Sequence, residues 1–470
     1  MKIYSKNNNY TLYQGNCLDM LDVLEENSID SIVTDPPYEL NFMGKGWDNA
    51  GISFQPDTWK KCYEVLKPGG YLLAFGGSRT FHRIACAIED AGFEIRDTIM
   101  WLYGSGMPKS MNIGLAIDKK NGVESIDTGI QSPNARPNSS KSNSLYESGK
   151  VGKSFTIKIA CNEWKGWGTS LKPAYEPIIV ARKPVENTIV GNVLKYGVGG
   201  INIDECRVGT DIIKGGTMPD FRDIGKKSKE AIGVDKLSFG QVENAKRKPM
   251  GDHIGRFPAN VILTYDDTDF DEVCGRFPNT KGSKIKEKGN YGYCFNEEKR
   301  DSKPMADGYN DEGSAARYFK NCPYTEEDCE EYRRYFYSAK ASKKDRDEGL
   351  DEFEEQQMYD GKNAQFGYGN TKDDNFGDRV ANVKRKNTHP TVKPTELMRY
   401  LVRMVTPNGG TVLDPFNGSG STGKATMLEN TENNKDYKYI GIELTEEYLP
   451  IAKARIEYAQ NKNLDIQTKK

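Results

Sequence analysis

The chain has 470 residues, with 66 lysines and arginines against 68 aspartates and glutamates and a formal net charge of −2. Its nine cysteines are odd in number and scattered, which argues for reduced thiols in a cytoplasm. No apolar stretch approaches the ~18 residues of a membrane span, and Met1–Asn16 lacks the apolar core of a signal peptide. Membrane, collagen-like, disulfide-rich secreted and fully disordered classes are therefore excluded, and a site for a polyanion must be a local patch.

Short apolar runs alternate with helical patterns from Ser28 to Ala116. Strands are predicted at Ser31–Thr34, Tyr71–Phe75 and Thr98–Tyr103. Apolar residues at helical spacing predict a helix over Arg79–Ala91. The Pro-Gly-Gly at 68–70 is expected to break the chain before the second strand.

A long irregular stretch follows, rich in Gly, Asn, Lys and Asp. One strand is predicted within it at Tyr175–Ala181, and the acidic run Asp345–Glu355 is expected to be a solvated face or loop. Regular patterns return with the predicted helices Glu396–Val405 and Glu446–Ala459, and with two strands, at 411–413 and 439–443. Strands that alternate with helices favour an α/β fold with a mostly parallel, doubly wound sheet covered on both faces.

The run Thr34-Asp35-Pro36-Pro37-Tyr38 lies at the carboxyl end of the first predicted strand, where open α/β sheets bind ligands. The two prolines remove two backbone donors and stiffen the turn, which leaves carbonyls free to accept hydrogen bonds. Asp35 adds a carboxylate acceptor, and Tyr38 adds a flat ring with a hydroxyl. This set suits a planar heterocycle with an exocyclic NH₂; the alternative is a plain strand-ending turn with a surface carboxylate.

A second motif, LDPFNGSGSTG at 413–423, connects a predicted strand to a helix. Its glycines permit positive φ and the helix offers free N–H groups, so a nucleotide-like cofactor is the natural occupant. The phosphate-loop spacing is not met, whereas Gly418, Gly420 and Gly423 match the dinucleotide pattern GxGxxG. Glu443, about 20 residues farther on, is well placed for a ribose diol. The alternative is a tight turn before a buried helix.

The motifs in this order resemble those of amino-group DNA methyltransferases: DPPY at 35–38, HPTVKP at 389–394 and DPFNGSG at 414–420. A catalytic motif that precedes the cofactor motif is typical of the β group of that family. The resemblance covers residues 16–115 and 388–459. It extends through GWGTSLKP at 166–173 and YEP at 175–177, which are similar to the phage and prophage type. It implies a Rossmann-like methyltransferase sheet with a large inserted target-recognition region.

The resemblance further implies S-adenosyl-L-methionine as the cofactor. The binding residues that it implies are Asn16, Cys17, Asp35, Thr391, Lys393, Asp414, Phe416, Asn417, Gly418, Ser419, Gly420, Thr422 and Glu443. Glu443 would hold the ribose hydroxyls, Asp414 would lie near the methionine end, and Thr391 and Lys393 would help to seat the methionine moiety. Asn16 stands where the family commonly has Asp, so its contact on the adenine side carries no charge.

The catalytic residues that the resemblance implies are Asp35, Pro36, Pro37 and Tyr38. An aromatic exocyclic amine is a poor nucleophile because its lone pair is delocalised. Hydrogen bonds from both amino hydrogens to Asp35 and the Pro36 carbonyl favour a pyramidal nitrogen that faces the sulfonium methyl. Duplex DNA hides this atom, so the base is expected to be flipped out and stacked on Tyr38. Because attack is not at a ring carbon, Cys17 receives no covalent role.

The expected reaction is methylation of adenine N6 in duplex DNA, because Asp-Pro-Pro-Tyr favours adenine whereas Ser-Pro-Pro is common among cytosine enzymes. The alternatives are a cytosine-N4 enzyme, a methyltransferase of RNA or of a protein amide, and a DNA-binding relative without catalysis.

Basic clusters at 226–229, 246–248 and 384–386 are candidates for phosphate contacts. No metal is expected, since Cys274, Cys294, Cys322 and Cys329 include no CxxC pair. Homodimerisation is left open.

The domain organisation expected is one catalytic domain split by an insertion. Residues 1–185 form the first part of the methyltransferase domain, and residues 386–470 form the second, cofactor-binding part. Residues 186–385 are assigned to target recognition. The expected location is the cytoplasm of a bacterial or phage-infected bacterial cell.

Overall fold

The structure is a computed structural model of the chain. It describes residues 2–40, 51–103, 110–131, 156–213, 217–219, 247–249, 251–264, 277, 279–281, 312–322, 341–357 and 384–468. The chain divides into two compact units. The first comprises Met1–Asn202, Ile262–Thr268 and Asn321–Lys470, and the second comprises Ile203–Val261 and Asp269–Lys320.

The strands of the described residues form one large sheet and five two-stranded pairs. The large sheet contains β1 (Lys2–Lys6), β2 (Tyr10–Gln14), β3 (Ile29–Thr34), β4 (Leu66–Phe75), β5 (Glu94–Tyr103), β8 (Tyr175–Arg182), β13 (Val261–Thr264), β16 (Lys320–Asn321), β19 (Thr411–Asp414) and β20 (Lys438–Glu443). The pairs are β6 (Ile126–Gln131) with β7 (Thr156–Ile159), β9 (Val208–Ile213) with β12 (His253–Arg256), β10 (Thr217–Pro219) with β11 (Arg247–Pro249), β14 (Asn279–Lys281) with β15 (Glu312–Ser314), and β17 (Gln356–Gln357) with β18 (Lys384–Arg385).

The order of the large sheet is β1-β2-β20-β19-β3-β4-β8-β5-β13-β16. The five strands from β2 to β4 in this order run parallel to one another. β8 is antiparallel to both β4 and β5, and β1 is antiparallel to β2. Sequence neighbours are separated in space, because β19 and β20 lie between β2 and β3. The predicted parallel-rich, Rossmann-like α/β fold is confirmed.

The helices of the described residues connect these strands. They are α1 (Cys17–Leu21), α2 (Pro56–Val65), α3 (Phe81–Asp90), α4 (Ile113–Asn121), α5 (Ile189–Tyr196), α6 (Lys343–Asp347), α7 (Thr395–Val405), α8 (Ser421–Asn433) and α9 (Leu449–Thr468). None of them is long and apolar enough to cross a membrane.

The central strands of the large sheet are buried on both faces, to which successive side chains of a strand point alternately. Ile32 and Leu413 belong to a core cluster that also contains Trp59 of α2. Their neighbours Val33 and Val412 are fully buried too and lie on the other face. Strands covered on both faces read as continuous apolar runs, which is the pattern that the sequence shows here.

The Pro-Gly-Gly at 68–70 does not end the strand, contrary to the expectation, but it interrupts the pairing of β4 with β3, which is regular again from Tyr71. β4 begins at Leu66 and continues through the three residues. Its pairing with β3 becomes irregular between Ile29 and Ser31, which accommodates the proline. Gly69 adopts φ +79°, and a Cβ there would collide with Asn192, so glycine is required at this point.

The acidic run Asp345–Glu355 is solvated only in its second half, which corrects the expectation in part. Asp351, Glu352, Glu354 and Glu355 are exposed, whereas residues 345–350 are buried or half-buried. The run contains the end of α6 and the fully buried side chain of Leu350. Lys424, fully buried on α8, lies 2.9 Å from an Asp345 oxygen and 2.7 Å from a Glu348 oxygen. The acidic residues are needed because a buried ammonium must be paired.

The second unit is built from short antiparallel pairs. β9 pairs with β12, with an irregularity between Ile254 and Arg256. The guanidinium of Arg256 lies 5.5 Å from the centroid of the Tyr318 ring, and the rings of Phe277 and Phe319 are 5.6 Å apart. Aromatic contacts of this kind add to the stability of the short strand pairs among the described residues of this unit.

Candidate active site

The motifs found in the sequence converge at one edge of the large sheet. β2, β20, β19 and β3 are parallel neighbours, so their carboxyl ends lie side by side. β3 ends next to Asp35, β19 ends at Asp414, and β20 ends at Glu443. Gln14 of β2 is in register with Glu443, and the amide of Gly15 donates to the Glu443 carbonyl at 3.0 Å. This edge is where open α/β sheets hold their ligands.

Asp414 clamps the glycine-rich turn. Its Oδ1 accepts hydrogen bonds from the Thr34 hydroxyl at 2.7 Å and from the Phe416 amide at 3.1 Å. Its Oδ2 accepts from the Thr422 hydroxyl at 2.6 Å. The carboxyl thus joins the end of β3 to the first turn of α8. Burial raises the pKa of Asp414 to about 6, against the opposing effect of the bonds from Thr422 and Thr34.

The backbone of the turn depends on two glycines in left-handed conformations. Gly418 has φ +52° and Gly420 has φ +76°. A Cβ at Gly418 would lie 2.9 Å from Nε2 of His389, and one at Gly420 would lie 3.0 Å from the Cα of Ala452. The sequence therefore needs glycine at both positions, for conformation as well as for space.

Glu443 is oriented by two backbone donors. The Gly418 amide donates to its Oε2 at 2.7 Å, and the Thr445 amide donates to its Oε1 at 2.7 Å. Each oxygen keeps a second lone pair for a ligand. Burial raises the pKa of Glu443 to about 7, against the opposing effect of these amide bonds.

Asn417 and Ser419 are buried and engaged within the protein. Oδ1 of Asn417 accepts a hydrogen bond from the Tyr439 hydroxyl at 2.7 Å, and the backbone amide of Asn417 donates to the Ile442 carbonyl. The Ser419 carbonyl accepts from Arg455 at 2.8 Å. These two residues shape the turn from behind, and a cofactor contact by their side chains stays a prediction.

Asn16, Cys17 and Phe416 lie around the same edge. The Asn16 side chain caps α1 by accepting from the Leu18 amide at 3.0 Å. Cys17 is buried, and burial raises the pKa of its thiol to about 12, so the group stays protonated. The ring of Phe416 is half-buried, 6.3 Å from the ring of Trp59.

Asp35 and Lys393 form the centre of the catalytic side. Lys393 Nζ donates to Asp35 Oδ2, and its side chain is only 5% exposed. Burial lowers the pKa of Lys393, while the neighbouring Asp35 carboxylate opposes this shift. Asp35 Oδ1 is also buried, and it has no hydrogen-bond partner among the described residues. A buried acceptor without a donor is costly, so this oxygen fits an N–H group of a ligand.

Tyr38 is placed by contacts on its ring and on its hydroxyl. The ring packs on Gly77, and Lys393 Nζ lies 5.3 Å from its centroid. The hydroxyl donates to Glu176 Oε2 at 3.2 Å. Pro36 is buried and Pro37 half-buried beside it. Glu176 was part of the resemblance, but no role was predicted for it. The sequence around Glu176 does not indicate such a role, because the place of this residue depends on the antiparallel pairing of β8 with β4.

His389 is a further residue whose contact the sequence did not reveal. Its ring lies against Gly418 and 4.6 Å from the ring of Tyr448. Its Nδ1 accepts from the Thr391 amide at 3.3 Å. The HPTVKP segment therefore reaches both sides of the site, with His389 at the glycine turn and Lys393 at Asp35.

Some predicted residues lie outside the described part of the chain: the basic cluster at 226–229 with Lys246, and the cysteines Cys274, Cys294 and Cys329. Cys322 is described and buried. The described residues contain no group of three potential metal ligands.

Comparisons with known proteins identify the family of the chain. A family model described as DNA methylase, of the N6/N4 methyltransferase type, matches residues 29–454. The chain belongs to the N6/N4 DNA methylase family.

This N6/N4 methylase is 36% identical over 105 residues to the Type II methyltransferase M.HpaI of Haemophilus parainfluenzae, with 20% of this chain and 32% of the relative covered. It is 21% identical over 233 residues to M.HindIII of Haemophilus influenzae, with 41% and 64% covered. The chain thus matches less than two thirds of the length of these relatives.

Solved structures align with this N6/N4 methylase over most of their length. The cytosine-N4-specific PvuII DNA methyltransferase gives a TM-score of 0.39 at 13% identity, covering 99% of this chain and 97% of the other. The complex of M1.HpyAVI with SAM gives 0.32 at 13%, covering 95% and 99%. At this level of similarity neither structure bears on which base the present chain methylates.

The cofactor of this N6/N4 methylase is S-adenosyl-L-methionine. The residues at the edge fit it. Glu443 presents an oriented carboxyl for a diol, and the left-handed glycines keep side chains out of the turn. Asp35 adds a buried oxygen, Oδ1, that accepts no hydrogen bond from the described residues.

Proposed function

We propose that the protein methylates the exocyclic amino group of adenine, N6, in duplex DNA. The observation that carries this proposal is the buried Asp35 Oδ1, which has no donor among the described residues while Oδ2 is occupied by Lys393. An amino group of a flipped base supplies the missing N–H. The acidic residue at this position favours adenine over cytosine.

The cofactor, when bound, supplies an electrophilic methyl group on a sulfonium. The residues of the chain activate the nucleophile. Asp35 Oδ1 and the Pro36 carbonyl accept the two amino hydrogens, which directs the nitrogen lone pair toward the methyl carbon. As the nitrogen–carbon bond forms, the carbon–sulfur bond breaks and its electrons remain on sulfur. One amino proton then leaves, with Asp35 Oδ1 as its first acceptor.

The remaining site residues divide between cofactor and base. Glu443 accepts the ribose hydroxyls, and the turn at 418–420 holds the adenosine with its backbone. Tyr38, whose ring is in contact with Gly77 and near Lys393, stacks on the flipped base. Thr391 and Lys393 would help to seat the methionine moiety, and Lys393 contacts the Asp35 carboxylate directly.

We assign target recognition to residues 186–385, which include the second compact unit. That unit contains none of the predicted cofactor-binding or catalytic residues, which leaves it available for base contacts. Basic residues in this stretch suit the phosphates of duplex DNA, and Lys384–Arg385 form the short strand β18 at its end.

The experiment that tests the proposal uses the full chain with labelled S-adenosylmethionine. Duplex DNA of mixed sequence, structured RNA and a protein mixture are incubated in parallel, and modified nucleosides are identified by mass spectrometry. We expect label in duplex DNA and N6-methyladenine as the product. N4-methylcytosine would contradict the choice of base, and label in RNA or protein alone would contradict the choice of polymer.

A further inference from the structure

Glu176 lies at the catalytic edge although it comes from an antiparallel strand. It is the second residue of β8, opposite Trp101 of β5. The amide of Gly76, just past β4, donates to the carbonyl of Pro177 at 2.9 Å. β8 therefore begins where β4 ends, and the Glu176 side chain, 8% exposed, is directed into the site.

Two carboxylates share one buried ammonium in this place. Lys393 Nζ donates to Asp35 Oδ2 and lies 3.8 Å from Glu176 Oε2. The same Glu176 oxygen accepts the Tyr38 hydroxyl at 3.2 Å. With both carboxylates and the ammonium ionised, the cluster of Asp35, Glu176 and Lys393 carries a net charge of −1.

We propose that Glu176 is a positioning residue for methyl transfer, acting on the target base through Tyr38 and on Asp35 through Lys393. The inference rests on the proposed function. The hydrogen bond to the hydroxyl limits the rotation of the Tyr38 ring, which is the surface on which the base stacks. The second carboxylate draws part of the Lys393 charge away from Asp35, so that Asp35 Oδ1 remains a strong acceptor.

The excess negative charge also has a consequence for the reaction. Positive charge develops on the amino nitrogen as its bond to carbon forms, and it develops beside Asp35. A preorganised negative cluster stabilises that charge without rearrangement. Without Glu176 the group around the buried ammonium would carry one negative charge fewer.

The test compares Glu176→Gln with Glu94→Gln. Glu94 is the control for loss of an ion pair far from the site, because it pairs at 2.6 Å with Arg182, at the opposite end of β8, although its side chain is more exposed, 39% against 8%. For each variant the single-turnover transfer rate, the Kd for S-adenosylmethionine by calorimetry and the melting temperature are measured. We expect E176Q to lower the transfer rate about 30-fold or more while the cofactor Kd changes less than about threefold. E94Q is expected to transfer at a rate within about twofold of the wild type.

Glu176→Asp separates positioning from a merely structural role. It keeps the charge near Lys393, so we expect it to recover at least about a third of the logarithmic rate loss. A transfer rate for E176Q within twofold of the wild type would overturn the inference. So would equal losses for E176Q and E176D together with a marked fall in melting temperature or in cofactor affinity. These results leave the proposed function standing, whereas wild-type protein that binds the cofactor and methylates no DNA would overturn both.

Discussion

The two turns that build the active site differ in how their polar groups are satisfied. In the glycine-rich turn, Asp414 bonds to Thr34, Thr422 and a backbone amide, and Asn417 bonds to Tyr439. In the Asp-Pro-Pro-Tyr turn, Asp35 is held through one oxygen, and the other is buried without a donor among the described residues.

This difference indicates which part of the site is complete before the substrate arrives. A turn whose polar groups are already paired is a rigid cradle, and a ligand adds contacts to it without rearrangement. A buried acceptor without a donor is destabilising until a ligand supplies the hydrogen bond. The glycine-rich turn, to which we assign the cofactor, is therefore already stable before a ligand binds. The Asp-Pro-Pro-Tyr turn, to which we assign the base, is stabilised when a ligand donates a hydrogen bond to Asp35.

Asp35→Asn should have the largest effect. The amide presents a donor or a weaker acceptor to the amino group, so the transfer rate is expected to fall about 1,000-fold. The Kd for S-adenosylmethionine should change less than about threefold, because the glycine-rich turn is untouched. Transfer is measured under single turnover and binding by calorimetry.

Asp22→Asn serves as the control for this variant. Asp22 is also paired with a lysine, Lys61, but its side chain is 55% exposed. D22N should match the wild type in both measurements. Loss of cofactor binding together with transfer in D35N would refute the separation of the two turns.

Glu443→Gln should weaken the cofactor side selectively. The amide loses one of the charged acceptors for a diol, so we expect affinity for S-adenosylmethionine to fall roughly 10- to 100-fold. The transfer rate at saturating cofactor should fall much less than in D35N. A cofactor Kd that equals the wild-type value would show that the ribose is not held there.

The affinity for the cofactor should also depend on pH through Glu443. Its pKa of about 7 in the free protein means that the carboxyl is largely protonated at low pH and ionised at high pH. The ionised form is the stronger acceptor at both oxygens, so affinity should rise between about pH 6 and pH 8, by less than about tenfold per pH unit. Titration of the cofactor's own groups changes the affinity of the wild type and of E443Q in the same way. The difference between the wild-type and E443Q profiles, measured by calorimetry, therefore isolates Glu443. Parallel profiles would contradict the assignment.

Gly420→Ala tests the rigidity of the cradle. The added Cβ would be strained at φ +76° and would lie 3.0 Å from the Cα of Ala452. Gly122→Ala is the control, because Gly122 has φ +68° with nothing within 4 Å. Left-handed strain alone costs about 1–2 kcal/mol, so G122A should lose that much and G420A clearly more, in denaturant unfolding. Equal losses of unfolding free energy in G420A and G122A would mean that the turn at Gly420 rearranges to fit the added methyl group and is not rigid.

Cys17→Ala should have the smallest effect on catalysis. The thiol is buried with its pKa raised to about 12, so it supplies no nucleophile. The transfer rate should stay within about twofold of the wild type, with a stability loss of about 1 kcal/mol for the lost packing. The exposed Cys86 provides the control C86A. A tenfold loss of rate in C17A alone would contradict this account.

The sequence was sufficient for the parts of the site that follow strand ends. Asp35, Asp414 and Glu443 each end or follow an apolar run, and parallel strands bring such ends to one edge. Glu176 could not be assigned in this way, since its place depends on β8 pairing antiparallel to β4.

The prediction that the acidic run at 345–355 is solvated was wrong for its first half, for a related reason. The charge pattern of the run is typical of a solvent-exposed segment, and nothing local indicates that Lys424 will be fully buried beside it. Arg455, also fully buried, donates to the Asp345 carbonyl as well as to Ser419. Long-range pairing of buried charges is a tertiary property, which local patterns do not contain.

The most direct test of the central claim measures whether Asp35 contacts the amino group of the base. Once the methylated site is mapped, its target adenine is replaced by purine, which lacks the 6-amino group. The Kd for both duplexes is then measured with the wild type and with D35N. Weaker base pairing of purine affects both proteins equally and cancels in the cycle. We predict that the wild type prefers adenine over purine about tenfold more strongly than D35N does. The same preference in both proteins would contradict the account.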